Sequence, residues 1–305
     1  MGILQTLIAY LTAHPLPLKS ASTSTHLASY APHFLSSSEA TKDTQETWYI
    51  YEQLFLASLR TCDDSSARLC LQRLGDRFGA DSPRIRALTG LYDEAVAVSP
   101  SELDEILKRY TAILRDDPTN TTIEKRRIAL LSSLNRPEEA ISALTKLLAH
   151  SPTDAESWAH LASLYRSQGL YAQSSFCLEE VLLIHPNAYN VHARLGDTAF
   201  ISGPSDAEQL ADAVRYFCRS VELCEWYLRG WYGLRFTTDA ILASPTVIAK
   251  IGMKRRTLEA LNAKATERLA EIVRRAAAGE EGWTGFDAAE VQAASELIAV
   301  EQPVR

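Results

Sequence analysis

An all-α solenoid of stacked helical hairpins is the fold class this sequence predicts, and three observations carry it. Prolines recur at Pro83, Pro118, Pro152 and Pro186, spaced by 35, 34 and 34 residues, the period at which one two-helix hairpin is laid on the next. Within one period, from Ala155 to Pro186, large and small residues alternate at helical spacing. The same large and small positions return in the neighbouring periods.

In that central unit Trp158, Leu161, Ala162 and Tyr165 recur at three and four residues, so they share a helical face that must be buried. Ala162 on the first helix and Ser174 on the second are small enough to let the two backbones approach. Gly169 supplies the turn before Tyr171, and Pro186 stops the second helix after Val181, because it lacks an amide proton and clashes one turn back. The pattern is that of a tetratricopeptide repeat. One period earlier the small residue returns as Ala140, with Leu131, Leu144 and Leu147 in large positions. Later Leu195, Gly196, Ala213, Val214 and Phe217 repeat it across an insertion at Gly203-Pro204-Ser205, and Trp231 and Leu234 open one more first helix. About six hairpins in one right-handed array, capped by helices at both ends, are expected.

The composition of the 305 residues fits a solenoid, which grows by layers and needs no single central core. With 46% apolar and 23% charged residues the chain is far from a disordered composition. A net charge of −7 lacks the basic footprint of a general nucleic-acid binder. No apolar run is long enough to span a bilayer, and the start, MGILQTLIAYLTAH, has neither the basic flank nor the cleavage pattern of a secretory signal. Cys62, Cys70, Cys177, Cys218 and Cys224 are odd in number and lack CxxC spacing, which reads as reduced cytosolic thiols. Asn120-Thr121-Thr122 has the form of a glycosylation sequon, but Asn120 reads better as the cap of the helix that follows.

Residues 1–46 are expected to hold a short helix and an irregular arm. Ile3, Leu4, Leu7, Ile8 and Leu11 lie on one helical face, a cap on the first repeat or a candidate for lipid contact. Met1-Gly2 followed by Thr6 also meets the bare myristoylation pattern. From Pro15 and Pro17 past Pro32, the Ser- and Thr-rich stretch shows little periodicity and reads as an irregular wrap. Residues 47–245 form the repeat array, beginning at Trp48, with hairpins closed at Asp116-Asp117-Pro118 and turned at Arg136-Pro137. Residues 246–305 read as capping helices and a tail. Leu258, Leu261, Leu269, Ile272 and Val273 give the long helix there its apolar face, its Lys and Arg residues read as a solvated surface, and Asp287 caps the last helix.

No catalytic constellation is present: HExxH, GxSxG, Walker-type GxxxxGK and glycine-rich dinucleotide motifs are absent from the sequence. The seven histidines are scattered, and acidic pairs such as Glu138-Glu139 and Glu179-Glu180 fall on helix surfaces. We expect no enzyme activity, no metal and no cofactor. A stacked array instead offers a groove lined by the first helix of each hairpin. The repeat register places Lys125, Arg126, His160, Ser163, Arg166, Asn190, Arg194, Asp197, Arg229 and Tyr232 there, a set richer in basic residues than the acidic chain as a whole and suited to an acidic partner segment.

Two binding readings follow. A co-chaperone clamp for the acidic C-terminus of a heat-shock chaperone needs a Lys, two Asn, a Lys and an Arg at positions occupied here by Lys125, Ala129, His160, Asn190 and Arg194, so both asparagines are missing. The segments YEQLFLASL, SPRIRALTGLYDEA, ILRDDPTNTTIEKRRIALL, DAESWAHLASLY and YAQSSFCLEEVLLIHP together resemble subunit 2 of the endoplasmic-reticulum membrane protein complex, from about Trp48 to Trp231. The resemblance implies a non-catalytic, cytosol-facing scaffold peripheral to the membrane. It also implies a hetero-oligomer with cytosolic segments of membrane subunits and with a second soluble subunit, in a complex that inserts tail-anchored and multispanning proteins.

Overall fold

A computed structural model describes residues 2–13, 21–280, 282–283 and 285–299. Those residues form helices and no strand. In order they are α1 (Ile3–Ala13), α2 (Ala21–Ser29), α3 (Ala31–Leu35), α4 (Gln45–Arg60), α5 (Asp64–Phe78), α6 (Pro83–Val96), α7 (Pro100–Asp116), α8 (Thr121–Ser133) and α9 (Pro137–His150). They continue as α10 (Ala155–Ser167), α11 (Tyr171–Ile184), α12 (Tyr189–Ser202), α13 (Ala207–Leu223), α14 (Leu228–Leu242), α15 (Pro245–Lys250), α16 (Arg255–Ala278) and α17 (Ala288–Ala299). The chain divides into two compact units, Met1–Ala143 and Leu144–Arg305, with the division inside α9.

Helix starts follow the expected chemistry. Asn120 accepts from the Ile123 amide at 3.1 Å, so it caps α8, and Asp63, Asp154 and Asp206 do the same for α5, α10 and α13. Ser99 and Glu102 form a reciprocal box: the Ser99 oxygen accepts from the Glu102 amide, and Glu102 reaches back to the Val98 amide at 3.0 Å. Asp287 accepts from the Ala289 amide at 2.8 Å, at the start of α17.

In the first unit α4 pairs with α5 and α7 with α8, while α6 lies against α5, α7 and α8. Residues 21–41 depart from the expected irregular arm, because they form α2, α3 and a 3-10 turn at Ser38–Thr41. Leu27, Ala28, Ala31 and Phe34 are spaced so that one face enters the core. The hydroxyls of Thr25 and Ser36 donate to carbonyls four residues back, at 2.9 and 2.8 Å, which accommodates polar residues on the other face. Pro32 sits in the first turn of α3, where no amide proton is needed. Pro15 and Pro17 lie outside the described residues. The apolar face of α1 is not offered to lipid: Leu4, Leu7 and Leu11 are buried with Ile50, Leu54 and Phe55 of α4.

In the second unit the hairpins α10/α11 and α12/α13 stack, with α11 against α12, α13 against α14, and α16 and α17 closing over α14. Size complementarity fixes each layer. The Ser174 hydroxyl donates to the Ala162 carbonyl at 2.9 Å, a contact only two small residues permit. One layer on, a large ring faces two glycines. A methyl group at Gly196 would lie 2.9 Å from the Phe217 ring, and one at Gly233 would overlap that ring outright.

Trp158 is less buried than its place on the apolar face implies. Its indole N–H donates to the Pro152 carbonyl at 2.8 Å, and its ring meets the 55% exposed Phe176 edge-on at 6.1 Å. Trp231 makes the same bond to a carbonyl six residues back, at 2.6 Å, yet is buried. The difference lies in the neighbours: small Ala149 and Ala172 line the groove at Trp158, whereas helices up to α17 contribute to the core that holds Trp231.

The C-terminal helices belong to that same core. Leu258, Ala265, Leu269 and Ile272 of α16 are completely buried. The guanidinium of Arg235, buried in α14, pairs with Asp239 and donates through Nε to Thr266 of α16 at 2.7 Å. Part of the basic surface expected to be solvated is engaged instead, since Arg268 stacks over Trp226 and Arg275 lies over both Trp226 and Trp283.

Glycine to alanine in a helix interior normally stabilises by about 1 kcal/mol. Gly233→Ala is expected to reverse that sign and cost about 1–3 kcal/mol, because the Phe217 ring must move. Phe217→Ala should cost about 3–5 kcal/mol and Trp158→Ala clearly less, since one ring is fully buried and the other partly exposed. Denaturant melts of the three variants check the order.

Candidate partner-binding groove

The first helices of the second unit lie side by side. Helix α12 packs on α14, and Arg194 of α12 donates across to α10, to the Ser163 hydroxyl at 2.7 Å and the Ala159 carbonyl at 3.3 Å. Of the residues expected to line a groove, Ser163, Arg166, Arg194, Asp197 and Arg229 come together here. Arg166 of α10, Arg194 and Asp197 of α12 and Arg229 of α14 share one electrostatic cluster around the Asp197 carboxylate. Arg229 is held at 2.5 Å by Glu290, which α17 brings up from 61 positions along the chain. The Arg166 guanidinium makes no hydrogen bond or ion pair among the described residues.

Burial dominates the electrostatics of this face. Desolvation pushes the Asp197 pKa up from its ordinary value, against the lowering pull of Arg166, Arg229 and Arg194. It also lowers that of Arg194, with the like charge of Arg166 acting in the same direction. His160 of α10 is half-buried and its pKa is lowered by the same cause, which favours the neutral imidazole. Asn190 is exposed at the start of α12.

Tyr232 stands at the edge of an aromatic ledge that the repeat register did not single out. Its ring stacks with Phe236 at 6.3 Å, and Phe236 meets Phe200 of α12 edge-on at 5.2 Å. Phe236 is 44% exposed, and Ile201, next to Phe200 in sequence, is 40% exposed. The signal is present in the sequence as large apolar residues one turn beyond groove positions, Phe200 after Asp197 and Phe236 after Tyr232.

Lys125 and Arg126 belong to the first unit and are half-buried on α8. Arg126 pairs with Glu94 of α6, whose carboxylate also accepts the Tyr110 hydroxyl of α7 at 2.5 Å. Arg126 thus ties three helices together. A separate apolar groove of about 590 Å³ opens between the end of α9, α10 and α11, with Leu148, Trp158, Tyr165 and Phe176 among its walls. Cys177 in its lining has its thiol pushed up to about 11 by burial, so it is protonated and unreactive at neutral pH. Among the described residues no His, Cys, Asp or Glu cluster could hold a metal ion, and no helix is long and apolar enough to cross a membrane.

A carboxylate whose folded-state pKa is raised binds its proton more tightly in the folded than in the unfolded chain. The stability it supports at low pH is therefore lost as pH rises from the unfolded value, about 4, through the folded one. Asp197→Asn is expected to raise the melting temperature of the free chain at neutral pH and to leave it unchanged well below that window. Calorimetry across the range checks the sign.

Residues 88–203 match the family model described as the EMC2 TPR-like repeat domain. The chain is similar to the ER membrane protein complex subunit 2-A of Xenopus laevis, 35% identical over 71% of each chain. It is also similar to the TPR repeat protein oca3 of Schizosaccharomyces pombe, 39% identical over 63% of this chain and 67% of that one. Among solved structures, the C-terminal part of a TPR repeat-containing protein from Cytophaga hutchinsonii aligns over 82% of this chain and 93% of its own. Its TM-score is 0.52 at 15% identity, a likeness of fold alone. The hairpin layers, the 34-residue period and these relatives converge: the chain belongs to the ER membrane protein complex subunit 2 family.

Proposed function

We propose that this protein is a non-catalytic scaffold subunit of an endoplasmic-reticulum membrane protein complex. In this reading it sits on the cytosolic face and holds membrane-embedded and soluble subunits together. The complex would insert tail-anchored and multispanning proteins, and this chain would contribute contacts and no chemistry. The observation that carries the reading is the 35% identity to subunit 2 of that complex over 71% of the chain. The absence of a spanning helix among the described residues supports attachment through partners. So does α1, whose apolar face is occupied by α4 and is not available to lipid. A co-chaperone clamp draws no comparable support, because Arg194, one of its two matching residues, is engaged by Ser163 and Ala159.

The test is affinity purification of the tagged full chain from mild detergent, with the co-purifying chains identified. Membrane-embedded subunits of one complex should be recovered in fixed proportion, and the purified chain alone should not sediment with neutral liposomes. Recovery of a heat-shock chaperone in their place, or sedimentation of the chain by itself, would overturn the reading.

A further inference from the structure

The inner face of the second unit combines two features that are seldom left open side by side on a free surface. One is a poorly hydrated charge cluster with a positive excess: three arginines surround Asp197, and Glu290 takes up only Arg229. Arg166 is left with no direct partner among the described residues. The other is the ledge where Phe200 meets Phe236, with exposed Ile201 next to Phe200 in the sequence of α12; Phe236 and Ile201 are at least 40% exposed. On α12 the two features lie three to four residues apart, from Asp197 to Phe200 and Ile201. That is about one helical turn, or roughly 5 Å.

We infer that this face docks an amphipathic helix of a partner protein that presents a carboxylate about one turn from a large apolar side chain, the carboxylate meeting Arg166 beside Asp197 and the apolar group meeting Phe200 and Ile201 one turn further along α12. Charge complementarity selects the acid. An ion pair formed where groups are already desolvated is screened less than one at an open surface. The turn spacing selects a helix laid into the groove, with anchors at i and i+3 or i+4. Asp197 opposes the incoming carboxylate, which sets register by penalising an acid placed on its side of the cluster. The inference rests on the scaffold reading and names the chemistry of one of its contacts.

The experiment presents the purified full chain with a library of alanine-based helical peptides about 18 residues long, a length at which such helices form. Outward positions vary among Glu, Lys, Leu and Ser. The wild type should retain peptides with Glu three or four residues from Leu. Arg166→Glu should exchange the Glu preference for Lys, and Ile201→Ala should reduce the Leu preference, each weakening the wild-type choice about tenfold. Arg166 is half-buried and Ile201 exposed, and neither belongs to the buried core, so circular dichroism should be unchanged. Asp197→Asn should tighten the acidic peptides. Retention of Lys peptides by the wild type, retention of no peptide, or weakening by Asp197→Asn would overturn the inference. Recovery of the membrane subunits by the tagged chain is read separately. If recovery persists while peptide selection fails, the scaffold reading survives and the assigned partner chemistry falls. If peptide selection holds while recovery fails, the partner chemistry stands and the scaffold reading falls.

Discussion

Phe217 projects from α13 into a space that exists only because Gly196 and Gly233 have no side chains. The ring fills the gap from both sides, so α12 and α14 settle on α13 at separations that any methyl group would forbid. That spacing brings the first helices together, and with them Arg194, Asp197 and Arg229 come within electrostatic reach of Arg166. A packing constraint in the core thus positions a charged face at the surface. The Ser174 to Ala162 bond does the same one layer earlier, with a hydroxyl in place of a ring.

The parts of this structure that could be read from sequence are those set by local or periodic constraints. Gly169 takes φ +73°, as its place between the helices of the central hairpin requires, and Asn120 caps α8 as its position before an amphipathic run suggests. What could not be read depends on partners distant in sequence. The polar stretch from Ala21 becomes helical because α4 and α5 give Leu27 and Phe34 a place to be buried. Trp158 shares its register with Trp231 but not its cover, since cover is supplied by whichever helices come next. The repeat register names positions expected to line a groove, yet it does not say whether a charge at one of them is free. Glu94 engages Arg126 from 32 residues away and Glu290 engages Arg229 from 61, and no periodicity announces either.

Desolvation gives the groove its character. In open solvent four charges of mixed sign would be screened and worth little. Here burial works against the ionised forms of both Asp197 and Arg194, which sets them apart from freely solvated surface charges. The exposed Phe236 and Ile201 add apolar surface open to water.

The central claim is that this face of α10, α12 and α14 is covered when the protein is in its complex. Hydroxyl-radical footprinting of Phe236 and Tyr232, in the free chain and in the complex purified from mild detergent, tests it most directly. Strong modification of Phe236 is expected in the free chain and a loss of most of it in the complex, while exposed Phe78, on the first unit, serves as an internal reference. Equal modification of Phe236 in the two samples would contradict it.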